Sequence, residues 1–203
     1  MNIILLGAPG SGKGTIAKQL VANYPNYSLI TTGEILREER NSGSKLGNIV
    51  KETIGKGFLV SDDVINEIVE NKLKNITEPY LLDGYPRTIQ QGEFLDKISG
   101  NSEYVVIYIE VCDETIIKRI LERGKTSMRA DDQSLEIIQR RISSFKSETQ
   151  PLFDFYTNKS MLVSINGEND MDTVFADFKK IVDAFISQEN LVERCRRFNP
   201  NNS

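Results

Sequence analysis

The stretch GAPGSGKGT, Gly7 to Thr15, follows the apolar run MNIILL at the start of the chain. Gly7, four further residues, then Gly12 and Lys13 have the spacing of a phosphate-binding loop, in which glycines admit a phosphate chain close to the backbone and the lysine reaches its terminal phosphates. Between a strand and a helix N-terminus, such a loop combines backbone N–H groups with the helix dipole, and both favour an anion. The alternative, an ordinary glycine-rich strand-to-helix turn, is disfavoured by the strand predicted before the loop and the helix predicted after it.

The position after the lysine departs from the usual form of this loop. A Ser or Thr normally follows the lysine and coordinates magnesium. Here Gly14 intervenes and Thr15 comes one place later, so magnesium would be held differently, for example through water.

Length and composition predict one domain without a membrane segment. The chain has 203 residues and a formal net charge of −4. This size fits one α/β domain with small inserted lobes. The acidic balance argues against a general nucleic-acid binder, because affinity for a phosphate backbone comes from clustered Lys and Arg. The run Ile3–Leu6 is too short for a signal peptide, and no apolar stretch is long enough to cross a membrane.

Cysteine and histidine usage narrows the chemistry further. Cys112 and Cys195 are far apart and form no CxxC pair, so neither a disulfide framework nor a zinc site is indicated, and a reducing cytosol is expected. The chain has no histidine. Imidazole-based acid-base catalysis, nucleophile activation and metal binding are therefore excluded.

Apolar, β-branched runs alternate with segments that are better helix formers. Continuously apolar strands of this kind are typical of a buried parallel sheet with helices on both faces, and ligands then bind at the carboxyl ends of the strands. The predicted strands are Ile3–Leu6, Ser28–Ile30, Tyr80–Leu82, Tyr104–Val111 and Met161–Ile165.

Two apolar stripes predict long helices that pack on this sheet. Between Asp131 and Tyr156, apolar residues recur at helical spacing, and Pro151 is expected to kink or break the helix. These residues are Leu135, Ile138, Ile142, Phe145, Leu152 and Phe155, and a C-terminal stripe consists of Val174, Phe178, Ile181 and Phe185. Both stripes are predicted to belong to the core.

Charged residues recur where the loops after these strands should converge. Asp83 ends the third strand near the phosphate loop, where an aspartate can hold magnesium or its waters, although turn or helix-capping roles are alternatives. Arginines grip phosphates through paired hydrogen bonds that lysine cannot reproduce, although any one of them alone would suit a solvated surface. The arginines in question are Arg37, Arg87, Arg119, Arg123, Arg129 and Arg141.

With these residues, the sequence resembles a nucleoside monophosphate kinase and, within that group, an adenylate kinase. The resemblance extends from Met1 to about Phe185. It is carried, in the family's order, by GAPGSGKGT, TTGEILR, SGSKLG, GFLVSDD, DGYPRTIQQ, RILERG, RADDQ and INGENDM.

The resemblance implies an α/β three-layer sandwich of the P-loop NTPase type around a five-stranded parallel sheet. Residues 1–188 would form one domain with an AMP-binding insertion at about 31–60 and a short lid at about 124–134, and residues 189–203 a loosely ordered tail. It further implies a cytoplasmic monomer that transfers a phosphoryl group reversibly from ATP to AMP, giving two ADP, with Mg²⁺.

Carried over by position, the resemblance also implies roles for single residues. ATP would bind Gly10, Ser11, Gly12, Lys13, Gly14, Thr15, Arg119, Arg123 and Asn169. AMP would bind Thr32, Arg37, Phe58, Leu59, Val60, Gly84, Tyr85, Pro86, Arg87, Gln91, Arg129 and Arg141. The catalytic set would be Lys13, Arg87, Arg123, Arg129 and Arg141 with the lid carboxylates Asp131 and Asp132. Asp83 would hold magnesium through water, and Thr15 is a further candidate ligand. The spacing to Pro151 favours Arg141 over Arg140 for this role, and Arg140 is kept as the alternative.

Four features distinguish this sequence from the commoner family pattern. The segment GKTSMRAD between Gly124 and Asp131 resembles the short lid, which lacks a cysteine-bound zinc, so no zinc is expected. Met128 stands where the family commonly has glycine, which removes a flexible position and affects the expected lid kinetics. Glu34 replaces a commoner aspartate, and the tail has no counterpart in the family.

Two other functions stay open from the sequence. A UMP/CMP kinase would have the same fold and catalytic set, but Thr32 and Thr88 favour AMP, since pyrimidine-accepting relatives usually have Ala and Asn there. A nucleotide-binding switch without transferase activity would be expected to lack acceptor-site residues, whereas Arg37, Arg87 and Gln91 are present.

Overall fold

The computed structural model describes residues 1–42, 44–56, 58–100, 103–126, 132 and 134–187. Several sequence predictions lie outside these residues. They concern Met128, Arg129 and Asp131 of the predicted lid and the tail at 189–203.

The predicted strands are all present, with ends that differ by one residue at most. The strands are β1 (Asn2–Leu6), β2 (Ser28–Thr31), β3 (Tyr80–Asp83), β4 (Tyr104–Glu110) and β5 (Leu162–Asn166). The helices are α1 (Lys13–Asn23), α2 (Thr32–Asn41), α3 (Lys45–Gly55), α4 (Asp62–Leu73), α5 (Ile89–Ser99), α6 (Asp113–Thr126), α7 (Leu135–Ser144), α8 (Leu152–Asn158) and α9 (Met171–Ile186).

In the described residues, the strands form one parallel five-stranded sheet in the order β2-β3-β1-β4-β5. Its register pairs Leu5 with Asp83 and Thr31 with Asp83, so β1, β2 and β3 end close together. The loops that follow these strands therefore meet at one edge of the sheet, where α/β proteins bind their ligands.

Both faces of the sheet are covered by helices, as the continuously apolar strands predict. Because side chains alternate along a strand, Ile3 and Leu5 pack with α1, α7 and α9 on one face, while Ile4 and Leu6 pack with α4, α5 and α8 on the other. These four side chains are 2% exposed or less. The three-layer α/β fold is thereby confirmed.

The predicted long helix is interrupted before Pro151. After α7 the chain forms a π-helical turn, Phe145–Thr149, in which the N–H of Gln150 donates to the carbonyl of Phe145 at 2.9 Å. Pro151 then precedes α8. The prediction that every residue of this stripe is core was wrong at Leu135, whose exposed fraction is 50%. Leu135 is the first residue of α7.

The C-terminal stripe is confirmed. Val174, Phe178, Ile181 and Phe185 are all buried on α9, which packs on α1 and β5. In the part of the chain that the structure describes, no helix has both the length and the apolar character needed to span a bilayer.

Candidate active site

The phosphate-loop sequence forms a turn between β1 and α1. Gly12 precedes the first residue of α1 with a φ of 100°. The Lys13 ammonium folds back over the turn and donates to the carbonyls of Gly7 at 2.7 Å and Ala8 at 2.8 Å, and to Ser11 Oγ at 3.2 Å. The turn therefore holds a positive charge at the N-terminus of a helix, where an anion is favoured.

The surroundings of Lys13 lower its pKa to about 8 from 10.5. Burial is the main cause, because it penalises the charged form. Asp83 acts in the opposite direction, while Arg87, Arg141 and Arg123 lower the pKa further. Of the arginines predicted to surround a transferred phosphoryl group, Arg87, Arg123 and Arg141 are thus close enough to Lys13 to interact with it, and Arg129 lies outside the described residues.

The turn after β3 positions Arg87. Gly84 has a φ of 85°, and the carbonyl of Gly84 accepts a hydrogen bond from Arg87 Nε at 2.8 Å. Beside it, the buried Thr32 hydroxyl donates to the carbonyl of Asp83 at 3.2 Å. The hydrogen bond to Gly84 thus holds the guanidinium of Arg87 against the turn that follows β3.

Asp132 joins two further arginines. Its carboxylate, 1% exposed, accepts hydrogen bonds from Arg123 Nε at 2.7 Å, Arg123 Nη2 at 2.8 Å and Arg141 Nη1 at 2.8 Å. Burial alone would raise the pKa of Asp132, but the two guanidinium groups outweigh it and hold the pKa below its usual value. Asp132 therefore sets the spacing between Arg123 and Arg141.

Arg119 is bound to the loop that follows β5. Its Nη2 donates to the carbonyl of Gly167 at 2.9 Å, in the loop between β5 and α9. Glu168 of the same loop accepts hydrogen bonds from the backbone N–H of Cys112 at 2.6 Å and from the Thr115 hydroxyl at 2.8 Å. The loop is thereby tied to the start of α6.

Lys13, Asp83, Arg87, Arg119, Arg123 and Arg141 border one cleft of about 480 Å³ at the carboxyl edge of the sheet. Among the described residues, its cationic lining consists of Lys13, Lys18, Arg37, Arg87, Arg119, Arg123 and Arg141, and its acidic lining of Glu34 and Asp83. An excess of positive charge in a chain of net charge −4 makes this cleft suited to a highly anionic ligand.

Comparisons with known proteins agree with this geometry. A family model described as Adenylate kinase matches residues 5–161. The chain belongs to the adenylate kinase family. An adenylate kinase of Prochlorococcus marinus (strain NATL1A) is 40% identical over 183 residues, covering 88% of this chain and 97% of the relative. An adenylate kinase of Bacteroides thetaiotaomicron is 38% identical over 188 residues, covering 90% of this chain and 98% of the relative.

A third adenylate kinase, from Methanosarcina barkeri, is 39% identical over 217 residues, covering 91% of this chain and 100% of the relative. This alignment is longer than the 203-residue chain, so that relative has segments without a counterpart here. Because the family consists of kinases, the chain is a phosphotransferase.

Most residues that the adenylate kinase resemblance singled out line the cleft. They are Gly10, Gly12, Lys13, Gly14, Thr15, Arg37, Phe58, Leu59, Val60, Asp83, Gly84, Pro86, Arg87, Arg119, Arg123 and Arg141. Ser11, Thr32 and Asp132 lie directly behind these residues and contact them. The exposed Asn169 is not among the lining residues, although its loop neighbour Gly167 contacts Arg119.

Tyr85 and Gln91 are held in a buried network. The Tyr85 hydroxyl contacts Asn66 Oδ1 at 2.6 Å and the carbonyl of Gln91 at 3.1 Å. Gln91 Oε1 accepts from the Arg87 N–H at 2.7 Å, and Gln91 Nε2 donates to Asp62 Oδ1 at 2.5 Å. Both ends of the Gln91 amide are thus bound by the protein itself.

Sequence analysis missed part of the cleft wall. Ser144 lines it from the end of α7, Phe145 and Thr149 line it from the π-helical turn, and Met171 lines it from the start of α9. Met171 is the last residue of the motif INGENDM, but the sequence analysis gave it no role. Nothing in the local spacing around Phe145 distinguishes a cleft residue from a core residue.

Proposed function

We propose that this chain transfers the γ-phosphoryl group of ATP reversibly to AMP, giving two ADP. The observation that carries the proposal is the convergence of Lys13, Arg87, Arg123 and Arg141 on one cleft. The cleft extends from the phosphate loop at one end to Arg37 and the residues 58–60 at the other. It therefore has room for a donor and an acceptor whose phosphates meet in the middle.

In this reaction an oxygen of the AMP phosphate attacks the γ-phosphorus, and the bond from that phosphorus to the β–γ bridging oxygen breaks. Such a transfer needs in-line positioning and neutralisation of the phosphoryl oxygens rather than covalent help. Lys13 and the loop would hold the ATP phosphates, Arg37 and Arg87 the AMP phosphate, and Arg123 with Arg141 the group in transfer. The buried carboxylate of Asp132 keeps the last two arginines oriented.

A magnesium ion fits the oxygen groups at the end of β3. Asp83 offers a carboxylate that is 8% exposed, and Oδ2 of Asp83 is 3.9 Å from the position of a Cβ built on Gly14. Mg²⁺ prefers oxygen ligands and commonly retains waters while bound by one or two carboxylates and by substrate phosphates. Asp83 would hold it through water, with Thr15 as a further ligand. When bound, the ion would neutralise phosphate charge.

We also propose that the enzyme acts as a cytoplasmic monomer. Counting the described residues alone, this chain by itself supplies seven cationic side chains to the cleft, together with Glu34 and Asp83. The exposed Cys112 is a free thiol, which suits a reducing compartment. The segment from 124 to 134 is proposed as a short lid and residues 31–60 as the AMP-binding lobe.

The test is a coupled assay of purified protein with ATP and Mg²⁺ and with AMP, CMP, UMP or GMP as acceptor. We expect ADP formation with AMP and at most weak activity with the other three. Strong preference for CMP or UMP would identify a pyrimidine kinase instead. Nucleotide binding without any transfer would identify a nucleotide-binding switch.

Omission of the metal gives a second test. With EDTA and Mg²⁺-free ATP, we expect the wild-type enzyme to stop turning over. The variant Asp83→Asn should be active only at a higher Mg²⁺ concentration than the wild type needs. An Asp83→Asn enzyme with unchanged dependence on Mg²⁺ would contradict the role given to Asp83.

A further inference from the structure

Arg140 and Arg141 are neighbours on α7 but face different parts of the molecule. Arg141 lines the cleft and binds Asp132. Arg140 instead reaches the segment after α3, where Arg140 Nη1 donates to the carbonyl of Lys56 at 2.8 Å. Successive residues on an α-helix point about 100° apart, which explains the divergence. One turn of α7 therefore links the phosphate site to the segment that ends α3.

The Lys56 contact is supported by the electrostatics of a helix end. Lys56 directly follows the last residue of α3, where the carbonyl groups carry partial negative charge. The guanidinium of Arg140 supplies a positive charge at that point. Its Nη2 also donates to Glu136 Oε1 at 2.8 Å, an exposed i,i+4 ion pair on α7.

The same guanidinium lies over an aromatic ring that lines the cleft. Arg140 Cζ is 5.2 Å from the centroid of Phe58, a cation–π distance. Phe58 is 51% exposed, and Arg140 is the contact across one of its faces. Phe58, Leu59 and Val60 follow one another in the cleft wall.

We propose that Arg140 is a positioning residue for the acceptor nucleotide. It holds Lys56 and the cleft residues 58–60 in place through the Lys56 carbonyl and the Phe58 ring, and so lowers the KM for AMP without touching either nucleotide. This inference rests on the proposed function, because it assigns residues 58–60 to the acceptor end of the cleft.

Steady-state kinetics of Arg140→Ala test the proposal. We expect the KM for AMP to rise about five- to tenfold, from loss of one charged hydrogen bond and one cation–π contact. The KM for ATP should stay within twofold of the wild type, and kcat should not fall, because Lys13, Arg123 and Arg141 are untouched. Arg140→Lys should raise the KM for AMP less than Arg140→Ala does.

Glu136→Gln is the matched control. It removes the exposed ion pair on α7 but leaves the contacts to Lys56 and Phe58, so the KM for AMP should change less than twofold. An equal rise of both KM values in Arg140→Ala, a lower kcat at unchanged KM, or no change at all would overturn the proposal.

A fluorescence measurement separates this inference from the proposed function. The chain has no tryptophan, so Phe58→Trp introduces a single probe at the contact. Adding Arg140→Ala to Phe58→Trp should increase quenching of this probe by acrylamide, whereas adding Glu136→Gln should not. Unchanged quenching would overturn the positioning role. This readout needs no turnover, so absence of transfer to AMP would count against the proposed function alone.

Discussion

Among single residues, Lys13 has the charge on which the proposed chemistry depends most. Its ammonium is held by three oxygens of the loop and lies near Arg87, Arg123 and Arg141. We expect Lys13→Ala to fold normally and to lower kcat by about 10²- to 10³-fold, because a positive charge beside the transferred group is lost. Lys180→Ala, which removes a surface lysine paired with Asp177, is the control. A kcat within threefold of the wild type would contradict the role of Lys13.

The lowered pKa of Lys13 predicts a pH dependence. In the free enzyme the ammonium loses its proton as the pH rises through about 8, so ATP affinity should weaken above that pH. Calorimetric titration with ATP at pH 7 and pH 9 measures this, and in Lys13→Ala the weakening should be absent. Between pH 8 and 10.5 the unfolded chain binds more protons at Lys13 than the folded chain, so this residue makes the free energy of unfolding rise with pH there.

Asp132 predicts a coupled loss of stability and activity. Asp132→Asn leaves Arg123 and Arg141 facing a neutral amide, and we expect a loss of about 3 kcal/mol in the free energy of unfolding together with a lower kcat. Urea denaturation across pH measures the loss. The folded-state pKa of Asp132 is depressed. The wild type should therefore exceed Asp132→Asn in free energy of unfolding by the whole amount above about pH 4, and by less as the pH falls further. A difference that grows in acid would contradict this account.

At the scale of elements, the turn between β3 and α5 must keep a left-handed glycine. A Cβ on Gly84, φ 85°, would lie 2.7 Å from Thr32 Oγ1 and 3.2 Å from Arg87 Nη2. Gly100, φ 57°, has nothing within 4 Å of its Cβ position and provides a matched control. We expect about 1 kcal/mol of destabilisation in Gly100→Ala, from backbone strain alone, and clearly more in Gly84→Ala.

Denaturant unfolding of both variants measures this difference. Gly84→Ala should also raise the KM for AMP, because Thr32 and Arg87 would be displaced. Equal destabilisation in the two variants, or an unchanged KM, would show that the close approach at Gly84 is unimportant.

The π-helical turn is the element that sequence analysis could not anticipate. The apolar spacing from Leu135 to Phe155 suits a continuous helix with a break at Pro151, and Pro151 does precede a new helix. Whether the turn before it closes with α- or π-type hydrogen bonds depends on packing of Phe145 and Thr149 at the cleft. Such turns often occur at functional sites.

For the whole molecule, a cleft with two ends predicts additive stabilisation by two ligands. A non-hydrolysable ATP analogue with Mg²⁺, at about 100 times its Kd, should add about 2.7 kcal/mol to the free energy of unfolding. In a domain of this size that raises the Tm by about 5–10 °C, and AMP should add a further increase. Thermal unfolding with each ligand and with both measures it.

Arg37→Ala should remove most of the AMP-dependent increase and keep that of the ATP analogue, because Arg37 lines the cleft and is proposed to hold the AMP phosphate. If AMP produced no increase on top of the ATP analogue, the two nucleotides would be competing for one site.

Local sequence determined the strands, their parallel arrangement and the phosphate loop, because β-branched runs, glycine spacing and helix starts act over a few residues. Tertiary structure decided which distant groups meet. Arg140 and Arg141 differ by one position, and only the direction of α7 sends one into the cleft and the other to Phe58. Likewise, Gln91 carries no local sign that Asp62 and Arg87 bind its amide. Such contacts depend on how elements far apart in the chain pack together, and that packing is a property of the whole fold.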